Sequence, residues 1–274
     1  MDKKIALLII DPQTDFCDAQ TGSLYVPGAE NDSERLAALL DRVGAGFDSI
    51  HVTMDAHYRD DIGHPLFWVD AQGNHPEVDI PAGKFPVVLS EEDLLEGRWT
   101  PADPEMRAWA LEYVHTLASG NRYAPVIWPY HCLIGEPGGT IYAPVAAAVA
   151  RWELTTGKRA HKVLKGMNRR TEHYSAVKAE VADPADPHTM VNRELIEALS
   201  AADEIAVSGQ ALSHCVANTV RDIADALGAD QVSKLVLLED TASNVPTFEA
   251  LGEAFVGEMS ARGMRLGKSV DYCA

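Results

Sequence analysis

The residue that could do the most demanding chemistry is Cys215, set in the run Ser208-Gly209-Gln210-Ala211-Leu212-Ser213-His214-Cys215-Val216. It follows the strand-like Glu204 to Val207 and precedes Thr219 to Leu227, whose apolar residues recur at helical spacing. A cysteine near a helix start meets unpaired backbone N–H groups and about half a positive charge, which favour the thiolate nucleophile. Gly209, Ala211 and Ser213 are small enough for a sharp turn and for close approach of a ligand to the backbone. A lone cysteine is more often a small buried hydrophobe, so the chemical reading depends on partners elsewhere in the chain.

Such partners exist. Asp11 ends the apolar run Ile5 to Ile10, and Lys165 ends a segment that reads as a strand from His161 to Leu164. Asp11 would accept the Cys215 proton, and the Lys165 ammonium would stabilise both anions. The thiolate would attack a carbonyl carbon while the N–H groups of Ala211 and Cys215 bind the oxyanion. Asp11 would then protonate the leaving amine, and water would hydrolyse the thioester. Asp55 and His57 end another apolar stretch and, two apart in extended chain, share a face. With His131 they supply three N/O ligands and leave room for water or substrate, as at catalytic zinc centres. His64 could add a fourth ligand, and iron or manganese would accept the same donors as zinc. His51, His75, His115, His161, His173 and His188 read as ordinary surface or core histidines.

The elements needed to gather these residues are legible as alternating strands and helices. Strands are expected at Ile5 to Ile10, Ser49 to Thr53, Pro125 to Trp128, His161 to Leu164, Glu204 to Val207, Lys234 to Leu238 and Met264 to Leu266. Helices are expected at 34–43, Pro104 to Leu117, Thr140 to Trp152, Thr189 to Leu199, Thr219 to Leu227 and Phe248 to Arg262. The fold class is therefore α/β, a three-layer sandwich with a mostly parallel central sheet. Ligands in such sheets bind outside the strands' carboxyl ends, where Asp11, Asp55, His57, His131, Lys165 and Cys215 fall. Residues 65–125 exceed an ordinary connection and read as an insertion within a single domain of 1–274, serving as a lid or an interface.

Composition limits the rest. The 274 residues suffice for one large core, and a hydrophobic fraction of 46% with 23% charged residues excludes general disorder. A formal charge of -18 opposes nucleic acid and anionic lipid as partners. The four cysteines, Cys17, Cys132, Cys215 and Cys273, are too scattered for a disulfide framework. No run of 18 apolar residues occurs, and Met1 to Lys4 lead into a strand without a signal-peptide core, so a cytoplasmic location is expected.

Five motifs in order, Asp11-Pro12-Gln13-Thr14-Asp15-Phe16, Asp55-Ala56-His57, Trp128-Pro129-Tyr130-His131-Cys132, Lys165-Gly166 with Glu172-His173-Tyr174-Ser175-Ala176, and Gly209 to Val216, resemble the isochorismatase-like cysteine hydrolases, specifically the nicotinamidase/pyrazinamidase branch. The resemblance covers 4–64 and 126–268. It implies a catalytic triad of Asp11, Lys165 and Cys215, and a divalent metal, zinc first, on Asp55, His57 and His131. It also implies a cis peptide between Gln210 and Ala211 that aims the Ala211 N–H at the oxyanion, and a wall of Phe16, Trp128 and Tyr174 around a small aromatic amide. The implied reaction is hydrolysis of nicotinamide to nicotinate and ammonia in NAD salvage, by a homo-oligomer. The metal ligands argue against the metal-free branches. Two readings stand beside this one: an amidase for another small amide, and a non-catalytic scaffold binding through 65–125. Gln210 and Ser213-His214 depart from the family's commoner turn, and 65–125 is longer than in its compact members.

Overall fold

The computed structural model describes residues 3–80, 83–120 and 122–273; Met1, Asp2 and Ala274, and three positions of the expected insertion, lie outside them. In chain order the strands are β1 (Ile5–Ile10), β2 (Ser49–Asp55), β3 (Trp68–Val69), β4 (Val87–Val88), β5 (Thr100–Pro101), β6 (Val126–Ile127), β7 (His161–Lys165), β8 (Glu204–Gly209), β9 (Leu235–Leu238) and β10 (Arg265–Gly267). The helices are α1 (Thr14–Cys17), α2 (Ala29–Val43), α3 (Glu91–Leu95), α4 (Arg107–Ser119), α5 (Ala143–Thr156), α6 (Arg193–Ser200), α7 (Ala217–Leu227) and α8 (Glu249–Ala261).

β1 is six apolar residues in a row, all buried, which is the pattern of a strand covered on both faces. It lies centrally in a six-stranded sheet of order β10-β9-β8-β1-β2-β7, in which every pairing is parallel. Because side chains alternate along a strand, β1 feeds two separate cores. Ala6, Leu8 and Ile10 pack with Leu195 and Leu199 of α6, Val220 and Ile223 of α7, and Phe255 and Met259 of α8. Ile5, Leu7 and Ile9 pack with Leu36 and Leu40 of α2 and with Val145, Val149 and Trp152 of α5. The molecule is thus the expected three-layer sandwich. The chain leaves β1 toward β2 and β7 on one side and returns through β8 to β9 and β10 on the other. The strand order reverses between β1 and β8, and their carboxyl ends open a crevice there.

One expected strand is corrected. Val126–Ile127 does not join the central sheet; it pairs antiparallel with Val87–Val88. Pro125 and Pro129 bracket it, and proline cannot donate to a sheet ladder, so the segment is too short to compete for the centre. Residues 65–125 hold a third apolar cluster, with Phe67, Trp68, Leu89, Tyr113, Val114 and Leu117 packed around Ile62 and Ile127. Two contacts tie this cluster to the segment that carries Glu172 and Tyr174. Trp109 donates its indole N–H to the Arg170 carbonyl at 2.6 Å, and the Glu172 N–H reaches the Tyr113 hydroxyl at 3.4 Å. Among the described residues no helix is long and apolar enough to cross a membrane.

Candidate active site and metal centre

Four parallel strands deliver the chemistry at one edge. Asp11 follows β1, Asp55 ends β2, Lys165 ends β7, and Cys215 lies in the turn after β8. Asp11 takes a left-handed backbone conformation, φ 44°, and its N–H donates to Thr53 Oγ1 at 3.1 Å. The Thr53 hydroxyl in turn donates to Asp11 Oδ1 at 2.5 Å, so β2 fixes the carboxylate that β1 presents. Gly209 has φ +124°, and a Cβ there would lie 2.0 Å from the Ile10 carbonyl oxygen; only glycine lets β8 turn so close to β1. The next peptide, Gln210–Ala211, is cis. Gln210 anchors it by donating to Asp32 Oδ2 at 2.9 Å and accepting the Ser243 N–H at 3.1 Å. A single five-residue π-helical turn, Leu212–Val216, then carries Cys215 into α7.

Lys165 is the hub. Its Nζ lies 2.9 Å from Asp11 Oδ2, 3.1 Å from Asp55 Oδ1 and 3.7 Å from Cys215 Sγ, and donates to the His173 carbonyl at 2.8 Å. Burial by itself disfavours the ammonium, but the two carboxylates reverse this and hold its pKa well above the usual value. Burial raises the Asp11 pKa, with Lys165 opposing and Asp55 adding, so this carboxyl is suited to hold a proton in transit. For Cys215 the structure overturns the thiolate expectation. Burial pushes the thiol well up, more than the ammonium lowers it, and its hydrogen bond with Asp11 stabilises the protonated form. Asp11 lies close enough to Sγ to serve as its base.

Asp55, His57 and His131 bring one ligand atom each within 4.8 Å of one another, all three residues buried. His57 Nε2 lies 3.0 Å from Asp55 Oδ2, and His131 Nε2 lies 3.7 Å from the same oxygen. His57 Nε2 has no hydrogen-bond partner and faces Asp55 Oδ2, while Asp55 Oδ1 is taken by the Lys165 ammonium. A buried imidazole nitrogen without a hydrogen-bond partner, set against a carboxylate oxygen and a second imidazole, belongs to a donor set a divalent cation satisfies. The residues therefore fit the metal that the sequence motifs imply. His64 is not among them, because its Nδ1 faces the Tyr58 carbonyl at 3.0 Å and its Nε2 faces His131 Nδ1 at 3.2 Å, on the far side of that ring.

A narrow cavity leads to the thiol. Phe16, Trp128 and Tyr174 line it together with Ala211, His214 and Val245. Trp128 donates its indole N–H to the Tyr174 hydroxyl at 3.1 Å, locking two walls together. None of its described lining residues belongs to 65–125. Three contributors escaped the sequence reading. Glu172 lines the cavity with Oε1 4.0 Å from His57 Nε2; its place beside Tyr174 in a quoted motif was the available signal. His214 is ringed by Tyr123, Trp128, Tyr174 and Phe248, and burial lowers its pKa to about 3, making it a neutral wall. His173, read as ordinary, accepts the Gly166 N–H on Nδ1 at 3.0 Å and offers its carbonyl to Lys165.

Comparison with family models gives no match, and neither does comparison with curated proteins. Solved structures do match. PnC1 from L. infantum in complex with nicotinate is 22% identical, with a TM-score of 0.57 over 98% of this chain and 94% of that one. An Acinetobacter baumanii nicotinamidase/pyrazinamidase is 19% identical, with a TM-score of 0.62 over 99% of both chains. A pyrazinamidase of Pyrococcus horikoshii in complex with zinc is 16% identical, with a TM-score of 0.57 over 97% of this chain and 99% of that one. At these identities the likeness establishes the fold, along the whole chain.

Proposed function

We propose that the protein is a cysteine amidohydrolase of the nicotinamidase type that converts nicotinamide to nicotinate and ammonia. The observation that carries this reading is a buried thiol beside an ammonium, Lys165, that is itself paired with the carboxylate of Asp11, at the floor of an aromatic-walled cavity. The match to structures bound to nicotinate and to zinc supports the same class of ligand.

In the first half-reaction the Cys215 proton passes to Asp11 as Sγ attacks the amide carbon. Charge on the carbonyl oxygen is held by the N–H groups of Ala211 and Cys215. Lys165 keeps the thiolate and the Asp11 carboxyl within reach of each other while the proton moves. The tetrahedral species collapses with its C–N bond broken, and Asp11 returns the proton to the departing nitrogen as ammonia. A thioester remains. In the second half-reaction Asp11 takes a proton from water, the hydroxide adds to the thioester carbon, and the C–S bond breaks with the proton restored to sulfur. The net change is amide plus water to acid plus ammonia, and the enzyme is regenerated.

Phe16, Trp128, Tyr174 and the neutral His214 would hold a flat ring and exclude water. Asp55, His57 and His131 would hold a divalent metal, zinc taken first by likeness to the zinc-bound pyrazinamidase, which would supply a Lewis-acid contact for a ring nitrogen or a water. Ammonia release from nicotinamide by zinc-loaded protein tests the assignment, beside Cys215→Ala and a chelator-treated sample. Turnover lost in both controls supports it. No turnover in the zinc-loaded wild type refutes nicotinamide as substrate and turns the search to other small amides.

A further inference from the structure

We propose that Asp61 is the positioning residue of the metal centre: its carboxylate takes the Nδ1–H of His57 and commits Nε2 of that ring to the metal. The inference rests on reading Asp55, His57 and His131 as metal ligands, and not on which amide is hydrolysed. Asp61 Oδ2 lies 2.8 Å from His57 Nδ1 and also accepts the Tyr58 N–H at 3.0 Å. The carboxylate is held in place by a tight turn, with the Asp61 N–H on the Tyr58 carbonyl at 3.3 Å and the His64 N–H on the Asp61 carbonyl at 2.8 Å. Asp61 is 3% exposed, so water does not compete for it.

A carboxylate accepts and cannot donate, so it holds a hydrogen on Nδ1 and leaves Nε2 as the ring nitrogen that can give its lone pair to a cation. Nε2 is the nitrogen that lies 3.0 Å from Asp55 Oδ2 and lacks a hydrogen-bond partner. The second histidine is oriented differently: His131 Nδ1 faces the Pro129 carbonyl at 2.8 Å, a neutral backbone acceptor. The two imidazoles therefore differ in basicity. The carboxylate-backed His57 is the stronger donor to a cation, and removing Asp61 touches that ring and leaves the other's backbone partner intact.

The experiment measures zinc affinity by competition with a chromogenic chelator for wild type, Asp61→Ala and Asp61→Asn, together with urea unfolding of each metal-free protein. Asp61→Ala is expected to bind zinc about 10- to 100-fold more weakly. Asp61→Asn keeps an oxygen acceptor without the charge and is expected to fall between. In zinc-loaded wild type the His57 Nδ1 proton is expected to resist exchange with solvent, and to lose that protection in Asp61→Ala. Zinc affinity in Asp61→Ala equal to wild type overturns the proposal. So does a loss in both variants that matches their loss of metal-free stability, because Asp61 would then be a purely structural residue. Failure of zinc-loaded wild type to hydrolyse nicotinamide overturns the amidase assignment instead and leaves the zinc affinities to be read on their own.

Discussion

Replacing Lys165 with methionine is the perturbation whose consequences the structure specifies most fully. Methionine fills a similar volume but removes the one cation between two buried carboxylates, 2.9 Å from Asp11 and 3.1 Å from Asp55. Breaking a buried ion pair by deleting one partner costs about 3–5 kcal/mol, because the remaining charge stays desolvated. For a chain of this size that corresponds to a fall in Tm of roughly 6–20 °C. The pH dependence follows from the directions of the shifts. The Lys165 pKa is raised in the folded state, so its contribution is full below its unfolded value and fades only as pH rises through the folded one. In Lys165→Met, Asp11 and Asp55 face each other without the ammonium between them, and protonating either relieves the repulsion. The difference from wild type is therefore expected to be large at pH 7.5 and to shrink as pH falls through the carboxylate range. Urea unfolding of chelator-treated wild type and variant at pH 7.5 and pH 5 reads this directly, and ammonia release is expected to fall by at least about 10²-fold. Equal stability of the two proteins at both pH values would refute the reasoning, since Lys165 could not then be the counter-charge of a buried pair.

Other expectations are equally specific. Gly209→Ala places a methyl group 2.0 Å from the Ile10 carbonyl at a φ of +124°, and is expected to yield little folded protein, measured by soluble yield and circular dichroism. Tyr174→Phe leaves the Trp128 indole N–H buried without its acceptor; it is expected to cost about 1–3 kcal/mol in urea unfolding and to raise KM more than it lowers kcat. Burial raises the Glu180 pKa to about 7 despite the adjacent Arg122, so this group contributes stability at low pH that is lost as pH rises from its unfolded value through about 7. Glu180→Gln is expected to remove that component, flattening the stability profile between pH 5 and pH 8.

The legible parts of this fold were those written as uninterrupted apolar runs. Ile5–Ile10 and Leu235–Leu238 announce buried parallel strands, and the chemistry-bearing residues just after the strand ends announce the crevice. What stayed illegible depends on tertiary surroundings. Val126–Ile127 has the composition of a core strand, yet its partner lies 39 residues upstream in a region without clear periodicity. The helix-terminus argument lowered the expected Cys215 pKa, whereas burial, invisible in sequence, decides its direction. Asp61 sits in an unremarkable Arg59-Asp60-Asp61 run, and only the folded loop shows which of two adjacent carboxylates meets His57. His64 was open as a fourth ligand, but ring orientation turns both its nitrogens elsewhere.

The position of β7 at the rim of the sheet has one more consequence. Among the described residues its single sheet neighbour is β2, and three of its five residues, His161, Lys162 and Leu164, are exposed. The ammonium of Lys165 is thus mounted on a rim strand, while the thiol and its base hang from β8 and β1 at the centre. Rim strands fray at a lower free energy than central ones. Mild denaturant is accordingly expected to loosen the cation before the thiol and its base, producing a folded, silent enzyme whose activity returns on dilution before the central strands come apart.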